Sequence, residues 1–379
     1  MSEVAIDKQY VLRRDQGAAF FLLNDQKVLF SESTQEMYVL NDLAAYIWCR
    51  LEEKQKVSEI CADLVKSGVS RGDAKKYVNE AVWHWLKFGL LRLEHECTGS
   101  STSCSAMYSL NVDIGGLRVT LNIANERLMQ LFGPVFEHLP SSAEDPHCIL
   151  EINEMGGMTL VFENRSTVIC CRLNEAVPLI KAYITERICR LDATRVVFHA
   201  ATLILNNKAL LISGAPGAGK STLSTRLLEE GFEYAGDDIA LIGLDGEVRG
   251  VPFALTLKRD SWKLVSHFRP ELESLAIHDR PDQLKVRFLV PQRIASRETS
   301  VASWIIFIRR TPFGPSALAP LSRTEVMGRF IASSYSPGGK LTLASCAALR
   351  RTIAGAISFE LTYSNLESAR DKIMDLCCA

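Results

Sequence analysis

The feature that most constrains this chain is a glycine-rich segment at residues 214–221, which reads Gly-Ala-Pro-Gly-Ala-Gly-Lys-Ser. It fits the pattern G-x-x-x-x-G-K-[ST], in which a strand feeds a loop and the loop opens a helix. The apolar run at residues 209–213 predicts a buried strand, and residues 222–230 predict a helix with one apolar face. The context that the pattern requires is therefore present.

The residue types of this segment suit a phosphate ligand. Glycines let backbone N–H groups turn inward around phosphate oxygens, and the N-terminus of the following helix adds positive charge. Lys220 is placed to reach the β- and γ-phosphates of a nucleotide, and the Ser221 hydroxyl to ligate Mg²⁺. The alternative is a glycine-rich turn followed by a chance Lys-Ser. We predict a P-loop that binds ATP and Mg²⁺, with nucleotide contacts from Gly214, Ala215, Pro216, Gly217, Ala218, Gly219, Lys220, Ser221 and Thr222.

Composition limits the class of protein. A chain of 379 residues is long enough for two or three domains. The net charge of −1 gives no basic field for nucleic acid or an anionic membrane. Apolar runs such as residues 304–308 fall far short of the ~20 residues that span a bilayer, and residues 1–15 contain no signal-peptide core. We expect a cytoplasmic protein that binds neither nucleic acid nor membrane.

The cysteines favour reduced thiols. There are 11 of them, an odd number, and no C-x-x-C pair occurs, so a disulfide framework is not expected. Cys97 and Cys104 flank a Ser/Thr/Gly stretch, and we do not expect a metal site there.

That Ser/Thr/Gly stretch has the composition of a linker. We therefore predict a first domain at residues 1–96, a linker at 97–107 and a second domain at 108–379.

The first domain has the pattern of a small α+β, winged-helix-like fold. Apolar runs at residues 18–23 and 27–30 predict a hairpin. Three amphipathic helices follow, the first capped by Asn41 and the third by Ser70. The pattern contains no cluster of titratable residues that looks catalytic. His84 lies among aromatic positions of the third helix, and we expect it to be a structural core residue.

This first domain resembles the PqqD family of peptide-modification chaperones. The resemblance covers roughly residues 8–95 and rests on Leu-Asn-Asp-Leu-Ala-Ala-Tyr-Ile-Trp at 40–48, Val-Ser-Glu-Ile at 57–60 and Leu-Lys-Phe-Gly-Leu-Leu at 86–91. It implies that a leader peptide adds as a strand beside the hairpin and packs on the third helix, which is strand addition to an exposed edge. The alternative is a winged-helix module for dimerisation or DNA binding, although acidic residues offset the basic ones on the third helix.

The second domain begins with a β-rich lead-in. Hairpins are predicted at residues 110–123 and 148–162, followed by a helix at 176–191. A single strand at 196–205 is predicted to turn back into the strand that feeds the P-loop.

Two further motifs accompany the P-loop. His199 stands 21 positions before Lys220, on the predicted preceding strand, and the doublet Asp237-Asp238 is predicted to begin a strand soon after the loop helix. Neither the Asn-Lys-x-Asp string of GTPases nor the Leu-Ser-Gly-Gly string of transporters occurs. The alternatives are a hydrogen-bonded histidine at a strand end and a solvated acidic turn.

The order histidine, P-loop, Asp-Asp resembles the HPr kinase/phosphorylase family over roughly residues 190–260. The resemblance implies an α/β fold with a P-loop kinase core of the HPr kinase/PEP carboxykinase type. It implies that Lys220 binds phosphate, Ser221 ligates Mg²⁺, Asp238 accepts the proton of the acceptor hydroxyl and His199 is the active-site histidine. Asp237 is then free to hold Mg²⁺.

The chain also departs from that family. Lys263 stands where a glutamate is expected, and no Arg-Gly-rich stretch follows the doublet. Arg293, Arg309 and Arg310 are candidates for a γ-phosphate contact, and Lys258 is a candidate contact for nucleotide or substrate. The segments at residues 251–258 and 279–291 instead resemble the branch of this family found beside peptide-modification genes, which argues against HPr as substrate and against reverse phosphorolysis.

The sequence therefore predicts a kinase that phosphorylates a Ser or Thr hydroxyl of a ribosomally made precursor peptide, with the leader held by the first domain. Two alternatives stay open. One is a kinase for a small hydroxyl compound such as free serine, and the other is a non-catalytic adaptor that binds nucleotide and peptide. Whether the protein is a homo-oligomer also stays open, although the resembled kinases form closed rings.

Overall fold

The computed structural model describes residues 10–32, 34–53, 56–95, 106–192, 194–296, 298–336 and 339–378. Most of the predicted linker, including Cys97 and Cys104, lies outside these ranges. Across the ranges described, every helix is too short or too polar to traverse a lipid bilayer.

The first half of the chain alternates short strands with helices. In chain order its elements are β1 (Tyr10–Arg14), β2 (Ala18–Leu23), β3 (Gln26–Ser31), β4 (Glu36–Leu40), α1 (Asp42–Glu52), α2 (Val57–Lys66), α3 (Arg71–Lys87), β5 (Leu91–His95), β6 (Tyr108–Ile114), β7 (Leu117–Ile123), α4 (Glu126–Phe136), β8 (Cys148–Met155), β9 (Met158–Glu163), β10 (Ser166–Cys171) and α5 (Leu173–Leu191).

The second half is a mixed α/β arrangement. Its elements are β11 (Val196–Phe198), β12 (Ala200–Leu205), β13 (Lys208–Ser213), α6 (Lys220–Leu228), β14 (Glu233–Gly236), β15 (Ala240–Ile242), β16 (Val248–Gly250), β17 (Leu255–Lys258), α7 (Arg259–Val265), a 3₁₀ turn (Pro270–Ser274), β18 (His278–Asp279), β19 (Lys285–Leu289), β20 (Val301–Arg310), β21 (Ala317–Pro320), α8 (Arg323–Ser333), β22 (Ser334–Tyr335), α9 (Leu343–Ala354), β23 (Ile357–Tyr363) and α10 (Leu366–Cys378).

The chain divides into two compact units. Unit 1 comprises Met1–Ser109, Thr120–Met129 and Cys148–Ala176, and unit 2 comprises Leu110–Val119, Gln130–His147 and Val177–Ala379. The sequence had assigned everything from residue 108 onward to one domain, whereas this division groups the β8–β10 segment with the N-terminal residues. The linker boundary itself stays a prediction.

Unit 1 combines a small sheet with three helices. Strands β2, β3 and β4 form an antiparallel meander, and Asn24 and Asp25 take left-handed conformations in its first turn, as a tight hairpin requires. Further strands pair antiparallel in the order β1-β5-β10-β9-β8. The predicted hairpin and helices are therefore confirmed.

Local signals explain where the helices of unit 1 begin. The side chain of Asn41 accepts a hydrogen bond from the Ala44 N–H, and that of Ser70 accepts one from the Asp73 N–H. These caps satisfy backbone donors that a helix start leaves without partners. The apolar faces meet in a core where Trp48 packs edge-on against Trp85, with ring centroids 5.2 Å apart.

Unit 2 is organised by a six-stranded sheet in the order β14-β12-β13-β20-β23-β21. Its centre is parallel, because β13 pairs with β20 and β20 with β23 in the same direction. Successive residues of β13 point to opposite faces. Leu210 and Ile212 pack with α6 and α10, while Leu211 packs with α8 and α9. The feeding strand is thus buried on both faces, which explains its continuous apolar run.

One expectation for this part of the chain was wrong. The run at residues 196–205 is not one strand, since β11 pairs with β15 and β12 pairs with β13, and His199 lies at the break between them. The lead-in also contains helix α4, which its hairpin signals did not indicate.

Candidate active site

The glycine-rich loop, residues 214–221, joins β13 to α6. It therefore lies at the carboxyl end of a parallel strand, where open α/β sheets bind their ligands. Gly217 and Gly219 have φ angles of 82° and 99°, a region that glycine enters without a Cβ penalty. The Lys220 ammonium donates to the Gly214 carbonyl at 2.8 Å, so the lysine folds back over its own loop.

Tyr363 fixes the loop from across the sheet. It ends β23, and its hydroxyl donates to the Ala218 carbonyl at 2.7 Å. A Cβ added to Gly219 would lie only 2.3 Å from this hydroxyl oxygen. No sequence motif pointed to Tyr363, because its contact with the loop depends on the parallel register of distant strands.

The sequence predicted that the acidic doublet begins a strand, and this prediction was wrong. It lies in the turn between β14, which ends at Gly236, and β15, which begins at Ala240. The two side chains meet different surroundings. Asp237 is only 2% exposed, whereas the side chain of Asp238 is 46% exposed.

Asp237 is a buried carboxylate, and one of its two oxygens has no hydrogen-bond partner. Its Oδ2 accepts from the Thr256 N–H at 3.3 Å, and the Ser221 side chain also hydrogen-bonds to the carboxylate. Its Oδ1 is buried and has no hydrogen-bond partner. Burial, reinforced by the charge of Asp238, raises the pKa of Asp237 to about 6. Such an oxygen beside a hydroxyl is a suitable ligand pair for Mg²⁺.

The residues present fit a magnesium ion that keeps most of its ligands as water and phosphate oxygens. Ser221 and Asp237 would hold it. In the ranges described, no group of three or more His, Cys, Asp or Glu side chains could hold a metal.

Asp238 is paired with a lysine that the sequence did not single out. The Lys181 ammonium on α5 lies 2.7 Å from Asp238 Oδ2. Burial opposes ionisation of Asp238, but the neighbouring Lys181 charge outweighs it and lowers the pKa of that carboxyl. A signal did exist, because position 181 shares one helical stripe with Ile184 and Ile188 at spacings of three and seven. A lysine on an apolar stripe is unusual.

His199 contacts the doublet through backbone. Its Nδ1 lies 2.7 Å from the Asp238 carbonyl oxygen, so Nδ1 carries the proton and donates. Burial and the charge of Lys220 lower the pKa of His199, which favours the neutral ring. Nε2 is then an acceptor, suited to a hydroxyl or a water and not to a phosphate oxygen.

The structure thus brings the predicted site residues together. Lys220, Ser221, His199, Asp237 and Asp238 interact with one another directly or through their charges. Their chemical roles stay predictions.

The predicted accessory cations take different positions. Lys258 acts electrostatically on both His199 and Lys220. Arg310 acts on Tyr363, and Arg309 lies 3.4 Å from Glu360. Arg280, which the sequence had not named as a candidate, contributes to the field on Asp238.

Unit 1 contains a cleft of about 920 Å³ along α1 and α3. Apolar side chains, including Leu43 and Ala81, line it together with the basic side chains of Lys76 and Arg172. His84 also lines the cleft and is exposed, so the expectation that it belongs to the core was wrong.

The strand before the cleft is also open to solvent. In the sheet order of the described residues, β4 is at the edge and pairs with β3 alone. Its Met37 and Val39 side chains are 62% and 65% exposed.

Comparison with known proteins agrees with the sequence for this part of unit 1. Residues 26–91 match the family described as PqqD: Coenzyme PQQ synthesis protein D, which confirms a PqqD domain over β3, β4 and the three helices.

Several solved structures show similarity, including the following two. One is TbiB1 in complex with the TbiA(beta) leader peptide, at 19% identity over 24% of this chain and 98% of that one, with a TM-score of 0.20. The other is the Hpr(Ser) kinase/phosphatase from Coxiella burnetii, at 12% identity over 48% of this chain and 97% of that one, with a TM-score of 0.23. No curated protein matches the chain.

The contact between Gly219 and Tyr363 generates a first prediction. Gly219→Ala forces a Cβ into the tyrosine hydroxyl at a left-handed position, whereas Gly217→Ala has the same backbone strain but no atom within 4 Å of its Cβ. Backbone strain alone costs roughly 1 kcal/mol and is common to both variants. Because only Gly219→Ala adds the clash with Tyr363, we expect it to lower the melting temperature by several degrees more than Gly217→Ala. Thermal denaturation measures this. An equal decrease in melting temperature in the two variants would show that the Tyr363 side chain moves aside without cost and would contradict this prediction.

Asp237 generates a prediction about pH. Its pKa is about 6 in the folded protein against an ordinary value of 3.8, so between these values the folded state holds a proton that the unfolded chain has lost. Stability should therefore fall as the pH rises from about 4 to 6, by on the order of 1–3 kcal/mol. Asp237→Asn should flatten this fall.

Thermal denaturation in metal-free buffer between pH 4.5 and 7.5 tests this. Asp238→Asn is the comparison variant, because the lowered pKa of Asp238 contributes stability that is lost only as the pH falls below its ordinary value of 3.8, outside this range. This variant should keep a fall in stability, reduced by the loss of the Asp238 charge that helps to raise the pKa of Asp237. An unchanged pH slope in Asp237→Asn would contradict the assignment.

Proposed function

We propose that this protein is an ATP- and Mg²⁺-dependent kinase that phosphorylates a Ser or Thr hydroxyl of a ribosomally synthesised precursor peptide. The PqqD domain binds the leader of that peptide. The observation that carries the kinase half is the Ser221–Asp237 pair beside the glycine-rich loop, with Asp237 Oδ1 buried and without a partner.

Nucleotide binding falls to the loop and the start of α6. Backbone N–H groups of the loop and the Lys220 ammonium bind the phosphates, and Ser221 and Asp237 hold the metal. Bound MgATP supplies the phosphoryl group and offsets negative charge in the transition state.

Proton removal falls to Asp238. Its side chain is half-exposed and its lowered pKa keeps it ionised at neutral pH, so an acceptor hydroxyl can reach it and donate to it. A seryl hydroxyl is a poor nucleophile, and a carboxylate within hydrogen-bond distance helps it to attack. Asp237, being buried, is left to the metal.

Leader binding falls to unit 1. The cleft is lined by apolar side chains and by charged ones that are mostly basic, and β4 offers an open edge with exposed apolar side chains. An extended peptide can add to such an edge through main-chain hydrogen bonds and place side chains in the neighbouring pocket. Holding the leader makes delivery of the acceptor intramolecular and raises its effective concentration.

Removing the carboxylate of Asp238 tests the kinase half. Asp238→Asn should reduce phosphate transfer to the peptide at least 100-fold, because a general base contributes ~10²–10⁴ in rate. It should leave binding of a fluorescent ATP analogue within a few-fold of wild type. Mass spectrometry of peptide incubated with ATP measures transfer. A variant that transfers phosphate at the wild-type rate would show that Asp238 is not the general base. Absence of transfer by the wild-type protein would favour the adaptor alternative.

Blocking the cleft tests the leader half. Ala81→Arg introduces a long charged side chain into the cleft on α3, whereas Ala62→Arg makes the same change at an exposed position on α2. We expect Ala81→Arg to raise the KM for full-length peptide at least tenfold and to leave peptide-independent ATP hydrolysis unchanged. The control should behave as wild type in both assays. Parallel loss of both activities in Ala81→Arg would contradict a delivery role.

A further inference from the structure

Lys181 is a buried cation whose ammonium contacts a carboxylate, a hydroxyl and two aromatic rings. Its residue is 7% exposed. The ammonium lies 2.7 Å from Asp238 Oδ2 and 2.6 Å from the Thr256 hydroxyl. It also lies over the rings of Phe253 and Phe288, at 5.5 Å and 5.7 Å from their centroids. Carboxylate, hydroxyl and aromatic faces together form a built site for one positive charge.

Thr256 extends this site to the second carboxylate. Its hydroxyl accepts from Lys181, and its backbone N–H donates to Asp237 Oδ2. One residue of β17 therefore connects the lysine to Asp237, while the lysine contacts Asp238 directly. Both members of the doublet are oriented by the same small network.

Packing alone does not account for a lysine at this position. Bringing an ammonium out of water costs several kcal/mol, and an apolar side chain of similar volume is often neutral or stabilising in its place. Part of the surroundings is apolar, because the buried rings of Phe253 and Phe288 lie beside the ammonium. A methionine would fill that space, so the charge itself has a role.

Geometry indicates what the charge does. The ammonium contacts one oxygen of Asp238, Oδ2, while the side chain as a whole is 46% exposed. A carboxylate anchored by one oxygen has its rotamer fixed and presents its other oxygen in a set direction. The positive charge of the ammonium also offsets the repulsion between the adjacent Asp237 and Asp238 carboxylates.

We propose that Lys181 is the positioning residue of the active site. It holds Asp238 with Oδ1 directed at the acceptor hydroxyl. The inference rests on the proposed kinase function for its catalytic consequence, but the ion pair between Lys181 and Asp238 is observed whatever the reaction is.

The activity test uses three substitutions in the full-length protein. Lys181→Met should lower kcat for peptide phosphorylation at least 30-fold while the KM for ATP changes less than threefold. Lys181→Arg, which keeps the charge, should recover at least a third of the wild-type kcat. Ala182→Met, at the exposed neighbouring position of the same helix, should match wild type.

The decisive comparison is the double variant. If Lys181 acts through Asp238, adding Lys181→Met to Asp238→Asn should lower kcat less than threefold further, because the carboxylate to be positioned is already gone. Independent, multiplying losses would overturn the proposal, as would a Lys181→Met enzyme with normal kcat. A wild-type protein with no transfer at all would instead refute the kinase function.

A readout without nucleotide or peptide separates these failures. In the ligand-free protein, Asp238→Asn should lower the melting temperature when Lys181 is present and raise it in the Lys181→Met background, where the carboxylate has lost its partner. This reversal supports the pairing whatever the enzyme does. The same change in both backgrounds would show that the two residues are not coupled and would overturn the proposal.

Discussion

The parallel pairing of β13, β20 and β23 is the constraint on which the candidate site depends. In this register Ser213 pairs with Phe307 and Arg310 with Tyr363, so the carboxyl ends of the strands meet at one edge. The loop packs closely on that edge, where a Cβ on Gly214 would lie 2.7 Å from the Ile308 carbonyl oxygen. Glycine is therefore required there by close approach alone, whatever the loop binds.

Adjacent carboxylates acquire different chemistry from this arrangement. Burial raises the pKa of Asp237 to about 6, and the lysine on α5 lowers that of Asp238. Environments that move the pKa values of two neighbouring carboxyl groups in opposite directions are typical of active sites, where one group binds a cation and the other accepts a proton. An orphaned carboxylate oxygen and a buried ammonium both oppose folding. Their concentration in one small region of unit 2 is most simply explained by function.

The sequence predicted those parts of the fold that short-range signals determine. The glycine-rich loop, the capped helices and the tight hairpins follow from local rules. Lys181, Thr256 and Tyr363 were missed because their roles arise from contacts between elements far apart in the chain. The break at His199 escaped notice for a related reason, since an unbroken apolar run does not reveal that its two halves pair in different sheets.

Separating leader binding from transfer changes what each site has to achieve. If the PqqD domain holds the leader, the local concentration of the acceptor reaches the millimolar range even through a flexible connection, so the transfer site needs little affinity of its own for the acceptor sequence. Asp238 is suited to a transfer site of low affinity, because its side chain is half-exposed and held through one oxygen, which leaves the other oxygen open to an acceptor hydroxyl. Sequence selectivity would then come from the apolar and basic lining of the unit 1 cleft, and a peptide without its leader would be a poor substrate although its hydroxyl is unchanged.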